Sequence, residues 1–385
     1  MKSLLLWSLG FRPFFLGGAL FACIALAGWG VWLYGGFGNW QPFAGGLAWH
    51  RHEMPFGFTG ALIAGFLLTA VPNWTGGPGT HGWPLIGLFA LWSLARIAWW
   101  LPLPGTWVIA LQLPFLPTLA WLLGQQLLAA KKRNNYPIVA VLGLLAVCQG
   151  LTLWGIVEQD DGLQRRGVLA GIWLVAALMS VIGGRVIPFF IQRGLGSSVP
   201  FVALAHEDKV LLLGTLLVAL LTACGLGESA HSWLAALYLP LAGLHGLRLW
   251  RWHDRGLWRV PLLWSLYLAY GWLLMATLGM AAWHLGWLVQ QSLVSHGLAV
   301  GGIGGMILAM IARVSLGHTG RALQPPRALG WAFAALQLGA LCRIVLVPFL
   351  DLGLGIAAAL WSLSFALFLI HYTGMLLQPR IASRA

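Results

Sequence analysis

The sequence predicts an all-α integral membrane protein of about twelve transmembrane helices, and three observations predict it. The 385-residue chain is 59% hydrophobic and only 8% charged, with a mean hydropathy of +0.83. That is more apolar surface than a water-soluble fold of this length can hide. Apolar stretches long enough to cross a hydrocarbon core recur from one end to the other. Basic residues gather in alternate connections between them. No soluble domain of useful size fits between the spans, so residues 1–385 read as a single polytopic transmembrane domain.

The spans fall at roughly 14–35, 50–71, 84–103, 106–130, 137–156, 168–192, 208–226, 231–250, 261–283, 288–314, 328–349 and 354–376. The first starts at Arg12-Pro13 and has no small-residue cleavage site before the second, so it reads as a retained span and not a cleavable signal peptide. The second opens on Trp49-His50-Arg51-His52-Glu53-Met54 and runs to the turn Val71-Pro72-Asn73-Trp74-Thr75-Gly76. Arg96 lies inside the third, and Lys131-Lys132-Arg133 follow the fourth. Glu158, Asp160 and Asp161 separate the fifth from the sixth, which ends near Arg185 and Pro188. Lys209 opens the seventh, and Glu228 follows it. Arg251, Arg255 and Arg259 lie between the eighth and ninth. The tenth carries His296 and the small-residue run Gly301-Gly302-Ile303-Gly304-Gly305, and it ends near Arg313. Arg343 lies in the eleventh, and Asp351 precedes the twelfth.

Spans two, six and ten end in similar apolar-to-turn transitions, four helices apart. This spacing suggests three four-helix repeats in a ring. Cys23, Cys148, Cys224 and Cys342 are scattered inside apolar spans with no paired spacing. They read as small buried hydrophobes rather than a disulfide framework, a zinc ribbon or a covalent haem attachment.

The net charge of +13 is topological. Lys131-Lys132-Arg133, Arg193, Lys209, Arg251, Arg255, Arg259, Arg321, Arg327, Arg380 and Arg384 all fall in connections on one side, which the positive-inside rule makes cytoplasmic. Glu158, Asp160, Asp161, Glu228 and Asp351 fall on the other, with Arg165 and Arg166 as exceptions. Both termini are therefore expected inside. The partner implied is the lipid bilayer, and no nucleic acid is implied.

Ionisable groups inside a membrane are expensive, and they mark function by default. The candidate metal ligands are His50, His52, His245, His296, His318 and His371, because imidazole is the commonest protein ligand for iron, copper and zinc. His50 and His52 point about 200° apart on a regular helix, so one faces the bundle and the other the headgroups, unless the helix starts between them. The competing reading is an interfacial histidine bonded to Glu53. His296 has small neighbours that admit either a planar cofactor or another helix. It lies 22 residues before His318. A continuous helix would separate the two by roughly 33 Å, which excludes a shared ion. His245 and His371 are lone histidines on apolar helices, where packing rivals ligation, and His318 sits where capping does. Arg96, Arg313 and Arg343 each need an anionic partner. A haem propionate would serve, as would Glu53, Asp351 or snorkelling to the surface.

Several segments resemble one known family. They are Gly10-Phe11-Arg12-Pro13-Phe14-Phe15, His50-Arg51-His52-Glu53-Met54-Pro55-Phe56-Gly57-Phe58 with Gly65 to Gly76, Gly184-Arg185-Val186-Ile187-Pro188-Phe189-Phe190, and Arg313-Val314-Ser315-Leu316-Gly317-His318-Thr319-Gly320-Arg321. Together they are similar to the NnrS family across nearly the whole chain. The resemblance implies a bacterial inner-membrane protein with haem and copper as cofactors, linked to nitric oxide, denitrification and resistance to nitrosative stress. It implies a diatomic ligand such as nitric oxide and an electron donor as partners. By the same analogy Tyr267 stands where a histidine is expected, which weakens any site on the ninth span.

A second, architectural likeness is to the haem–copper oxidase core, where the second and tenth helices hold one haem together. It suggests His52 and His296 as axial ligands, with His50 the alternate. The likeness breaks at the sixth span, which has no histidine, and no acidic chain for proton pumping runs through the spans. Two function classes remain: a haem and copper redox protein acting on nitric oxide or a nitrosyl species, and a transporter or sensor of haem, copper or a small metabolite. A transporter should show discontinuous helices and a polar site at the midplane. The charged candidates lie nearer the two faces, which favours redox chemistry.

Overall fold

In a computed structural model, residues 5–38, 41–196 and 205–381 are described, and among them every regular element is helical. Arg384 lies outside them. Among the described residues ten helices are long and apolar enough to cross a membrane. They are α1 (Phe11–Leu33), α2 (Gly46–Thr75), α4 (Gly105–Ala129), α5 (Arg133–Val157), α6 (Asp161–Leu195), α7 (His206–Leu226), α9 (Pro261–His284), α10 (Gln291–His318), α11 (Arg327–Leu346) and α12 (Leu352–Leu376). The remaining two expected spans are also helices, α3 (Trp83–Ala98) and α8 (Ala235–Trp252). The expected twelve is thereby corrected to ten candidate spans. The 16 residues of α3 extend only roughly 24 Å, short of the hydrocarbon thickness. The 18 residues of α8 carry His245, Arg248 and Arg251, which dilute its hydrophobicity.

The chain packs as two compact units. The first comprises Met1–Val168, Ile311–Gln324 and Phe365–Ala385. Here α1 lies along the second half of α2, and close approach is set by glycine. A Cβ on Gly65 would lie 2.8 Å from the Phe15 ring, and one on Gly18 would lie 2.1 Å from Leu62. The helix α4 breaks at Leu113-Pro114, and its second part packs against α5. Gly76 ends α2 in the left-handed conformation at φ 73°, where its N–H reaches Pro72 O at 2.8 Å.

The second unit comprises Leu169–Met310 and Pro325–Ser364. Its centre is the antiparallel pair α8 and α9, with the middle of α10 laid against α9 and α11. The small-residue run of α10 is filled by aromatic side chains. A Cβ on Gly301 would lie 2.5 Å from the Trp272 indole, and one on Gly304 would lie 2.4 Å from the Trp361 ring. Close packing is one of the two uses expected for those glycines.

Two long helices change winding at an informative place. α2 is α-helical to His52, π-helical over Glu53–Phe58 and α-helical again from Thr59. α10 is α-helical to His296, π-helical over Gly297–Gly304 and α-helical from Gly305. In α2 the cause is legible. Pro55 has no N–H for the i→i−4 ladder, so the ladder must shift. The Thr59 hydroxyl then donates to Met54 O at 3.0 Å. In α10 four glycines within eight residues weaken the regular helix.

Candidate functional site

The widened turn of α2 points two successive ionisable side chains inward, and both His52 and Glu53 are 0% exposed. An ionised carboxylate only accepts, so its contacts fix the protonation of its neighbours. Glu53 Oε1 takes the indole N–H of Trp99 at 2.8 Å and lies 2.8 Å from His52 Nδ1. Nδ1 therefore carries the imidazole proton and donates. Glu53 Oε2 lies 2.5 Å from Arg96 Nε, which makes a buried ion pair on α3. Gly57 is required at this point: a Cβ there would lie 2.8 Å from Glu53 Oε2 and 3.2 Å from the Arg96 guanidinium.

With Nδ1 protonated, His52 Nε2 keeps its lone pair. Gln149 Nε2 stands 3.2 Å from it and also donates to Gln112 O at 3.1 Å. The Gln112 side chain accepts from Arg96 Nη2 and donates to Ala95 O at 2.7 Å. Trp92 closes the α3 side by donating to Gly57 O at 2.9 Å. The result is a connected polar cluster from α2, α3, α4 and α5, buried throughout. One acceptor within it, Gln149 Oε1, has no partner. Such a cluster holds a neutral imidazole in one tautomer, with its second nitrogen aimed at a neutral amide. Metal-bound histidines characteristically have this outer arrangement, the far ring nitrogen donating to a carboxylate.

The predicted residues sort clearly against this geometry. His52 does bond Glu53, as the competing reading expected, and both are buried in the first unit. His50 faces the other way, stacked on Trp29 at 4.3 Å between centroids, and Trp29 stacks in turn on Trp32 at 5.0 Å. Arg51, between them, pairs with Asp161. Arg96 finds Glu53, one of the partners the sequence offered. His318 packs on the Phe11 ring at 5.6 Å, and the His371 side chain is exposed.

The other candidates belong to the second unit or lie apart. His296 Nδ1 lies 2.8 Å from Ser292 O, with Arg343 Nη2 3.2 Å from the same nitrogen. Arg343 also reaches Ser292 Oγ at 3.3 Å. Arg313, which returns to the first unit, is buried. His245 Nδ1 lies 2.9 Å from the Tyr270 hydroxyl. Tyr267, where a histidine was expected, donates its hydroxyl to Leu249 O at 3.0 Å and joins α9 to α8. Among the described residues no three His, Cys, Asp or Glu side chains gather as a metal cage. His52 therefore stands as a single imidazole whose far nitrogen rests on a carboxylate, a donor of the kind that can hold a haem iron.

Sequence reasoning missed Gln112, Gln149 and Trp99. The signal was present, because a lone amide inside an apolar span is itself unusual, but only ionisable residues were weighed. It also missed the second buried cluster. Arg248 donates from Nε to Glu207 Oε1 at 2.8 Å, and from Nη1 to the Tyr270 hydroxyl at 2.9 Å and Ser180 O at 2.9 Å. It also pairs with Asp208, while Arg251 pairs with Glu207.

No curated protein matches the chain. The family model described as NnrS protein matches residues 5–380. That is nearly the whole length, and it covers every residue of the buried His52–Glu53–Arg96 cluster, so the chain belongs to the NnrS family.

Proposed function

We propose that this protein is a haem-carrying membrane redox protein that acts on nitric oxide or protects against nitrosative stress, in a bacterial inner membrane with both termini cytoplasmic. The single observation that carries the reading is His52. Its Nδ1–H is anchored on a buried carboxylate and its Nε2 lone pair faces only a neutral amide. Haem, when bound, supplies an iron that binds a diatomic ligand or passes it an electron.

The chain's own residues do the rest. Glu53 fixes the ring orientation and raises the basicity of Nε2. Arg96 balances the Glu53 charge, so that the imidazole stays neutral and available. Gln149 stands in front of Nε2 and would have to leave that place for the nitrogen to hold a ligand. His296 is the second imidazole candidate: its Nδ1 either donates to Ser292 O, which leaves the lone pair on Nε2, or accepts from Arg343 Nη2, which does not. The family resemblance brings copper as a second cofactor, with ligands the donor geometry does not assign. The orientation rests on the positive-inside rule, and the basic connections share the side of the termini when the short helix α3 and the polar helix α8 cross the bilayer with the ten longer ones.

The test is the optical spectrum of the purified protein, oxidised and reduced, with and without nitric oxide, for wild type, His52→Ala and His296→Ala. Loss of the haem bands in His52→Ala, with the fold retained, supports the ligand assignment. The same loss in His296→Ala extends ligation to that imidazole. A shift with nitric oxide favours ligand chemistry over electron transfer alone. Wild-type protein without haem after expression in haem-replete cells removes the reading and promotes a transporter or sensor.

A further inference from the structure

Two of the sequence segments that carry the family resemblance, around Arg12 and around His318, take no part in the His52 cluster. In the first unit they converge at one place. Arg12 opens α1, His318 closes α10 with Arg321 just beyond, and Gln378 and Arg380 follow the end of α12. One helix start and two helix ends meet there, so the place lies where spans leave the hydrocarbon.

The chemistry of the place is unbalanced. Arg12 is 3% exposed, and its Nη1 donates to Leu376 O at 2.5 Å and Gln378 O at 2.8 Å. Arg321 Nη2 donates to Gln378 Oε1 at 2.9 Å. Arg12 and Arg321 thus bring two like charges onto one residue, Gln378. Two buried guanidinium nitrogens, Arg12 Nε and Arg321 Nη1, have no acceptor. Among the described residues no carboxylate pairs with Arg12, Arg321 or Arg380. The sequence explains why. The described stretches that contribute to this corner, 5–33, 311–324 and 365–381, contain no aspartate or glutamate.

A buried cation without a counter-ion is costly, and so is a buried N–H without an acceptor. Helix dipoles do not resolve the imbalance. The C-terminal carbonyls of α12 take Arg12 Nη1 and offset part of its charge, but among the described residues none reaches Arg12 Nε or Arg321 Nη1. The missing element is an acceptor-rich anion, and a guanidinium fork matches a tetrahedral phosphate group in geometry and charge.

We propose that Arg12, Arg321 and Arg380, with His318 beside them, form a binding site for a phosphate group at the membrane surface, either the headgroup of an anionic lipid or free phosphate. Arg12 and Arg321 contribute the buried N–H donors, and Arg380 the exposed charge. The backbone holds the tail in place for this, since Ile381 N donates to Thr319 O at 2.9 Å.

The experiment compares full-length protein in nanodiscs of phosphatidylcholine alone and in nanodiscs containing phosphatidylglycerol. Retained lipid is read by native mass spectrometry, and thermal stability in detergent is titrated with phosphatidylglycerol or with inorganic phosphate against chloride at equal ionic strength. Wild type should retain phosphatidylglycerol over phosphatidylcholine, and Arg321→Gln should weaken that binding about tenfold, the worth of one charge-assisted hydrogen bond. Arg12→Gln also removes a helix cap and could fail to fold, so Arg380→Gln serves as the second variant, with a smaller loss expected. Protection by inorganic phosphate equal to that by lipid, and lost in Arg321→Gln, would assign the site to free phosphate. Equal retention of both lipids with no phosphate effect, or unchanged binding in both variants, would overturn the proposal.

Discussion

Replacing Glu53 by glutamine probes the centre of the cluster with almost no change of shape. The glutamine carbonyl can keep both hydrogen bonds that Oε1 now accepts, from His52 Nδ1 and Trp99 Nε1 at 2.8 Å each. Its NH2 must then face Arg96 Nε, donor against donor, where the carboxylate now stands at 2.5 Å. The loss is therefore concentrated on Arg96, a buried guanidinium left without counter-charge. Breaking one side of a buried pair costs about 3–5 kcal/mol, or roughly two to four powers of ten in the folded-to-unfolded ratio. Arg96→Met should cost a similar amount by stranding the carboxylate. The double variant should cost clearly less than the two singles together, because neither charge is then left alone. Reversible unfolding in mixed dodecyl sulfate and maltoside micelles, followed by tryptophan fluorescence, reads all four corners of the cycle. A loss below about 1 kcal/mol in Glu53→Gln, or additive singles, would refute the reading of a buried ion pair that holds His52.

Four further outcomes follow from the same geometry. Gly57→Ala, whose Cβ would meet Glu53 Oε2 at 2.8 Å, should lose about 1–3 kcal/mol in the same micelle assay, and the loss should shrink in a Glu53→Gln background. Gly320→Ala combines a φ of +74° with a Cβ 2.4 Å from Ile381 O, so limited proteolysis should cut the tail after α12 faster than in wild type. Tyr270→Phe, which removes a hydroxyl 2.9 Å from both Arg248 Nη1 and His245 Nδ1, should cost about 1–3 kcal/mol of stability in the same unfolding assay. His371→Ala should leave stability within about 0.5 kcal/mol and haem content unchanged, because that side chain is exposed.

How much of this was legible in the sequence depends on the range of the forces involved. Helix positions were legible because spanning segments announce themselves through twenty consecutive residues of one character. Each of the twelve expected stretches is a helix. The count of ten differs because α3 is too short and α8 carries three ionisable side chains. His52 and Glu53 were legible as misplaced ionisable groups. Arg96 was legible as a cation in need of an anion, with Glu53 among the partners offered, but Gln112 and Gln149 were not, because they come from two other helices and no local pattern brings an amide to His52 or Arg96. The π-helical turns were half legible: Pro55 announces one, while the glycines of α10 were equally readable as a face for packing.

The two units solve the same physical problem in related ways, and the comparison separates fold from function. Each buries an arginine inside apolar helices. Each answers it with a glutamate, Glu53 for Arg96 and Glu207 for Arg248, and each ties a buried histidine to the arrangement by Nδ1. The difference lies in what touches the imidazole. His52 meets a carboxylate that can only accept, so its tautomer is fixed with the lone pair on Nε2. His245 meets a phenol that can donate or accept, so either tautomer satisfies the contact. Had ion-pair burial alone been required, as for anchoring helices, the phenol arrangement would suffice in both units. The carboxylate at Glu53 adds a fixed direction of donation and a fixed lone pair. Those are the properties a metal ligand needs, and they are why the proposed role falls on the first unit's histidine.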